Sequence, residues 1–245
     1  MKSTKNNITK NTDIYTGKTI SVALAQIRQR ISDAERRFNR VPGSVQLLAV
    51  SKTKPVTDVQ AAIDHGQVCF AENYLQEAVE KIKCLQNSQL VWHFIGSIQS
   101  NKTCDIAQYF QWVHTIDRIK IARRLSEQHP DHLPPLNICL QINISGEKSK
   151  SGIVTDELNQ LADDCSSLPN IKIRGLMAMP AQVSDFEKQR APFRELRLLL
   201  IKLQAKYPGM DTLSMGTTND LEAAIAEGAT IVRIGTAIFG SRNYP

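Results

Sequence analysis

The chain has 245 residues, 42% of them hydrophobic and 22% charged, with a formal net charge of +6. That balance excludes a wholly disordered or fibrous protein. No apolar run approaches the roughly 20 residues a membrane helix needs, and the Lys-, Asn- and Thr-rich start lacks the apolar core of a secretory signal. Lys2, Lys5, Lys10 and Lys18 set against Asp13 carry half of the excess positive charge, which reads as a basic tail and argues against a nucleic-acid surface. The expectation is a cytoplasmic protein with no membrane and no nucleic-acid partner.

In chain order, residues 1–17 are expected to form a flexible tail and residues 18–245 a single domain. Ile20, Leu24, Ile27, Ile31, Ala34 and Phe38 recur at three- and four-residue steps, the spacing of an amphipathic helix, and Pro42-Gly43 stops it. Eight short runs rich in β-branched or aromatic residues follow, at 46–51, 68–70, 90–95, 112–116, 136–142, 171–177, 212–215 and 231–234. Helical patterns lie between them at 57–65, 73–85, 101–110, 118–128, 155–167, 186–207 and 219–227. Strands alternating with helices at this spacing pair in parallel, because each helix returns the chain to the same end of the sheet. Eight units in this length predict a single-domain α/β fold, a closed (β/α)8 TIM barrel with an N-terminal helix. A doubly wound open sheet is the alternative. The five cysteines, Cys69, Cys84, Cys104, Cys139 and Cys165, contain no Cys-x-x-Cys pair and predict neither a disulfide framework nor a zinc site.

In such a barrel the active site is built at the C-terminal ends of the strands. With a side-chain period of two, Leu48, Val50 and Lys52 share a face. If that face points inward, Lys52 stands at the mouth above apolar side chains. A lysine there suits a Schiff base with a carbonyl ligand, and desolvation together with the like charge of Lys54 would lower its pKa. The competing reading is a lysine that snorkels from a strand end into water. The seventh strand runs into Ser214-Met-Gly-Thr-Thr-Asn-Asp220 and the eighth into Arg233-Ile-Gly-Thr-Ala237. Both turns offer glycines, hydroxyls and helix-start amides suited to an anion, at the two strands where barrels recurrently hold a phosphate. Arg233, if it points inward, demands a ligand or a carboxylate. A lysine amine facing a phosphate cradle with an arginine beside it suits a phosphorylated aldehyde, and pyridoxal 5'-phosphate is the cofactor that fits.

The segments Leu48–Pro55, Glu72-Asn-Tyr74, Trp92–Gly96 with Gln99–Lys102, His114–Asp117, Gln141-Ile-Asn143 with Lys150-Ser-Gly152, Arg174–Met177, Leu213–Gly216 and Val232–Gly240 together resemble the pyridoxal phosphate homeostasis protein family, also called the YggS/PROSC family. The resemblance implies a barrel like the N-terminal domain of alanine racemase, with pyridoxal phosphate held on Lys52 as a Schiff base. It also implies phosphate contacts around Ser214, Gly216, Thr218, Gly235 and Thr236, an Arg233 contact near the cofactor ring, and Asn73 lining the pocket. Two departures are visible: Ala71 stands where the family commonly has Gly, and Thr217-Thr218 where it commonly has Met-Ser.

The function implied is that of a non-catalytic carrier or regulator of intracellular pyridoxal phosphate (vitamin B6) and amino-acid homeostasis. The chain is expected to act as a monomer, with apo-enzymes that use the cofactor as candidate partners. Racemases of this fold carry a second domain that supplies a tyrosine base. Here the sequence ends at Pro245 with no room for one after the eighth strand, so no catalytic residue is assigned. An arginine at the pyridine nitrogen would also weaken the ring as an electron sink. The alternatives are a low-activity amino-acid racemase or phosphosugar isomerase using the same phosphate site, and an interaction protein acting through its basic tail. Lys54, Lys148 and Lys150 are candidate acceptor groups for the cofactor. His93 and His114 could reach the mouth, but a histidine on a strand is more commonly a packing residue, and neither is given a role.

Overall fold

A computed structural model describes residues 17–147 and 151–241. Lys148, Lys150 and residues 1–16 of the expected tail lie outside that range. The N-terminal helix α1 spans Gly17–Arg37. Its Ile20, Leu24, Ile27, Ile31 and Ala34 are buried, and it packs against α2 (Val56–Asp64), α8 (Leu221–Ala226) and α9 (Thr236–Phe239).

Eight strands follow: β1 Gln46–Val50, β2 Cys69–Glu72, β3 Val91–Phe94, β4 Trp112–Ile116, β5 Leu136–Ile142, β6 Ile171–Ala178, β7 Thr212–Ser214 and β8 Ile231–Ile234. All adjacent pairs are parallel and the sheet closes on itself. Closure is carried by β1 pairing with β8 from Gln46↔Ile231 to Ala49↔Ile234, which rejects the open-sheet alternative. The remaining helices, α3 Leu75–Leu85, α4 Thr103–Tyr109, α5 Ile119–Gln128, α6 Leu158–Ser166 and α7 Phe186–Gln204, cover the barrel in the order the hydrophobic periodicity predicts.

Differences from the predicted boundaries are local. β2 begins one residue later than expected and runs on through Glu72. A carboxylate there disguises a strand, and tertiary contacts override its low strand propensity, since Lys81 on α3 neutralises it. Four residues after Gly235 form α9, which no apolar periodicity announces. Most of the core lies between the sheet and the helices, with Phe70, Phe110, Phe193 and Phe239 fully buried there.

The N-terminal end of the barrel is closed by side chains. The Arg174 guanidinium lies over Trp112 and bonds Asp211 at 2.6 Å and Asn137 at 3.0 Å. A register shift between β5 and β6, where Ile138 pairs with Ile173 but Cys139 with Gly175, releases Arg174 from the ladder. Gly175 then lies so close to β7 that a Cβ would stand 1.8 Å from the Thr212 carbonyl oxygen. Overpacking of this kind cannot be relieved by a rotamer change, because the obstacle is backbone. Gly175→Ala is expected to cost about 3 kcal/mol or more, read as a lowered urea midpoint or loss of soluble protein.

Candidate functional site

Along each strand, inward and outward side chains alternate. On β1, Leu48 faces the barrel axis against Cys69, Ala71 and Ile231, with Val50 above it. Lys52, two residues further, is half-buried at the C-terminal mouth and lines a cavity of about 370 Å³. That size falls in the range of small-ligand pockets, roughly 300–1,000 Å³. Thr217, Thr218 and Asn219 from the turn after β7, and Arg233, Gly235 and Thr236 from the end of β8, line the same cavity, with Lys54, Met179 and Gln182 at its edge.

The structure therefore brings five of the predicted residues, Lys52, Thr218, Arg233, Gly235 and Thr236, to one cavity. The other three are placed differently. Gly216 (φ +92°) makes a turn over α8, where a Cβ would stand 2.5 Å from the Ala224 Cβ, and it is absent from the cavity lining. Asn73 is half-buried, and its backbone carbonyl and side chain lie against Gly96. Ser214 is fully buried below the cavity, its hydroxyl held between Arg233 and His114.

Arg233 points inward, and where the sequence called for a ligand or a carboxylate, its protein acceptors are two carbonyls and a hydroxyl. Nη1 donates to the Ser214 carbonyl at 2.5 Å and the Ser214 hydroxyl at 2.7 Å, and Nη2 donates to the Ala178 carbonyl at 3.0 Å. Strand ends supply those carbonyls, a solution invisible in sequence. Burial pulls the Arg233 pKa down to about 10, with Asp220 opposing, so the group stays a cation at neutral pH. With Lys52 and Lys54 beside it and no carboxylate among the described lining residues, the cavity is electropositive and suits an anion.

The loop that presents Thr218 is pinned from outside. Asp220 accepts from the Thr217 amide at 2.5 Å and the Thr217 hydroxyl at 2.8 Å. Arg30 on α1, paired with Glu222 at 2.9 Å, donates to the Thr218 carbonyl, and Gln189 to that of Asn219. A side chain at Gly235 would press on Val50, whose carbonyl oxygen would stand 3.2 Å from its Cβ, so a residue without one brings β8 backbone close to β1 at the cavity wall.

Two features escaped the sequence reading. The first lies beneath Lys52. Lys81, buried on α3, donates to Glu72 Oε1 and the Ser51 carbonyl, each at 2.8 Å, and to Glu77 at 2.5 Å. The Ser51 hydroxyl also donates to Glu72 at 2.6 Å, and Glu77 accepts the Thr53 amide at 2.6 Å. Thr53 has φ +64°, a left-handed conformation that is costly for a β-branched residue and held by its surroundings. The signal in the sequence was a lysine three residues after Ala78 on the inward face of α3.

The second is a polar chain in the barrel interior. His93 on β3 and His114 on β4 are both fully buried, with His93 Nδ1 2.8 Å from His114 Nε2 and His114 Nδ1 2.7 Å from Ser214 Oγ. Burial lowers the His93 pKa to about 3, and burial, His93 and Arg233 together hold His114 well below the usual histidine range. Both are neutral in the fold, whereas in the unfolded chain they protonate near pH 6.5. The unfolded state therefore binds more protons as pH falls below about 6.5, and stability should drop by roughly 1 kcal/mol or more per pH unit between pH 6.5 and 5.5. Urea titrations across that interval measure the slope, which His93→Phe should flatten.

A closed parallel barrel whose mouth cavity is lined by a lysine, a buried arginine and glycine-hydroxyl turns from its last two strands defines a barrel suited to a small anionic ligand beside an amine. The family model for the alanine racemase N-terminal domain matches residues 22–243. The chain is 55% identical over 226 residues to the pyridoxal phosphate homeostasis protein of Pseudomonas aeruginosa, covering 92% of this chain and 97% of that one. It is 52% identical over 224 residues to the protein of the same name from Escherichia coli, with coverages of 90% and 96%. The solved structure of PipY from Synechococcus elongatus with PLP bound superimposes with a TM-score of 0.79 at 33% identity, covering 90% of this chain and all of that one. This chain belongs to the pyridoxal phosphate homeostasis protein family.

Proposed function

We propose that this chain binds pyridoxal 5'-phosphate and serves as a non-catalytic carrier or regulator of intracellular vitamin B6 and amino-acid homeostasis. The observation that carries the reading is the single cavity in which the Lys52 amine shares walls with Thr218, Gly235, Thr236 and Arg233. The donor set fits the group: an amine for its aldehyde, hydroxyls and close backbone for its phosphate, and a buried guanidinium for its ring. When bound, the cofactor supplies an electrophilic aldehyde conjugated to an electron-poor ring.

In this arrangement Lys52 would hold the aldehyde and Thr218, Gly235 and Thr236 the phosphate, while Ser214 supports Arg233 from below, Gly216 makes the turn over α8 and Asn73, just after β2, packs on Gly96. Arg233 would hold the ring side of the group, and a cation there would disfavour protonation of the pyridine nitrogen and so weaken the ring as an electron sink. Among the described residues no His, Asp, Glu, Cys or Tyr lines the cavity, and the one other amine there, Lys54, donates its Nζ to the Ser241 carbonyl. That lining supports binding over turnover. The domain of the reading is residues 18–245, acting as a cytoplasmic monomer that exchanges cofactor with apo-enzymes. No helix among the described residues is long and apolar enough to cross a membrane.

The experiment is the absorbance spectrum of the purified protein, before and after added pyridoxal phosphate, followed by borohydride reduction and peptide mapping. A pyridoxyl group on Lys52 supports the assignment. A colourless protein that takes up no cofactor overturns it. Sustained exchange of Cα hydrogen for solvent deuterium in an amino-acid panel would overturn the non-catalytic part alone.

A further inference from the structure

We propose that His114, backed by His93, is a positioning residue for Arg233, through a hydrogen-bond chain of fixed polarity running from the guanidinium into the barrel. An arginine can only donate, so its bond to Ser214 Oγ makes the serine the acceptor there. The hydroxyl proton of Ser214 then needs an acceptor of its own, and the atom 2.7 Å away is His114 Nδ1. With Nδ1 accepting, the His114 proton sits on Nε2, 2.8 Å from His93 Nδ1, which must also accept. The His93 proton is left on Nε2, a buried atom with no partner among the described residues.

The opposite polarity is worse. It would aim two donors at one serine oxygen and leave the hydroxyl proton without its acceptor. His114 cannot be charged, since a cationic His114 would donate at both nitrogens into the same crowded chain beside a cationic arginine. The His93 ring is stacked 5.4 Å from Trp112 at an interplanar angle of 9°, which ties the far end of the chain to the closed base of the barrel.

This inference rests on the reading of the cavity as a pyridoxal phosphate site. Of the five guanidinium donors, three are committed to Ser214 and Ala178, and two remain for a ligand in the cavity that Arg233 lines. Ser214 orients the guanidinium only while its own proton is drawn the other way. His114 therefore sets the presentation of Arg233 to the ring without touching the ligand.

Long-range proton–nitrogen NMR of the cofactor-free protein at neutral pH tests the polarity, with both imidazoles expected as neutral Nε2–H tautomers. An Nδ1–H or a charged His114 overturns it. Two variants test the consequence. His114→Asn keeps an acceptor near the Nδ1 position, and His114→Phe fills the space without one. Losing a hydrogen bond that supports a charged group predicts pyridoxal phosphate binding weakened by about tenfold or more in His114→Phe. Its bound-cofactor spectrum should shift toward that of Arg233→Leu, while His114→Asn keeps the wild-type spectrum. An unchanged spectrum and affinity in His114→Phe, or equal damage in both variants, would reduce His114 to packing and overturn the inference. Should His114→Phe not fold, the tautomers and the His114→Asn spectrum still decide. If the wild-type protein takes up no cofactor, the site reading fails, while the NMR result judges the chain independently.

Discussion

Replacing Lys52 with alanine should abolish the pyridoxyl group that borohydride is expected to trap on this chain. Lys52 follows the inward-facing Leu48 and Val50 on β1 and stands at the cavity shared with Thr218, Arg233, Gly235 and Thr236. Alanine keeps the strand and shortens only the side chain that reaches the cavity, so the fold should survive and circular dichroism should be unchanged. Any cofactor still held through its phosphate should then bind reversibly, with the spectrum of the free aldehyde and not of a lysine adduct. Lys54 offers the internal control. It lines the same cavity, but its Nζ donates to the Ser241 carbonyl at 2.7 Å, and Lys54→Ala should keep the adduct. Persistence of the adduct in Lys52→Ala, with mass mapping to Lys54, would move the assignment to that residue.

The second large effect is on stability. Lys81→Met should cost about 3–5 kcal/mol, the usual consequence of deleting one member of a buried ion pair. Lys81 and Glu72 are 3% and 0% exposed, so water cannot replace the lost cation. Burial already pushes the Glu72 pKa up against the pull of Lys81 and Ser51. Without Lys81 burial would raise the Glu72 pKa further, and the anchor on the Ser51 carbonyl is lost with it. The turn carrying Lys52 and the left-handed Thr53 would loosen, so cofactor uptake should fall together with the urea midpoint. The double variant Lys81→Met, Glu72→Leu restores a charge-free interior and should recover a substantial part of the loss. Stability of the double variant no better than that of the single would show that the damage comes from packing and not from the stranded charge.

Much of the fold was legible because it follows from local periodicity. The three- and four-residue steps of Ile20, Leu24, Ile27 and Ile31 announced α1, and the alternating strand and helix patterns gave all eight strands. A parallel sheet needs those crossovers, so their number and spacing favoured the barrel. That Lys52, the turn bearing Thr218, and Arg233, Gly235 and Thr236 meet at one cavity was legible because a barrel places every strand's C-terminal end on one face. What the sequence by itself determined, then, was the eight strands and the helices between them, which side chains share a face of an element, and the segments that meet at the mouth.

The tertiary structure alone decided closure, through the pairing of β1 with β8. It also decided what satisfies each buried polar group. The partners of Arg233 are carbonyls and a hydroxyl from β6 and β7, distant in sequence and without any motif. The His93–His114–Ser214 chain joins three strands, and the Lys81 cluster joins α3 to β1 and β2. Hydrophobic periodicity records which way a side chain faces, since burial repeats with the element. A hydrogen bond depends on where two chain-distant atoms meet to within a few tenths of an ångström, and that is fixed only once the barrel has closed and set its register.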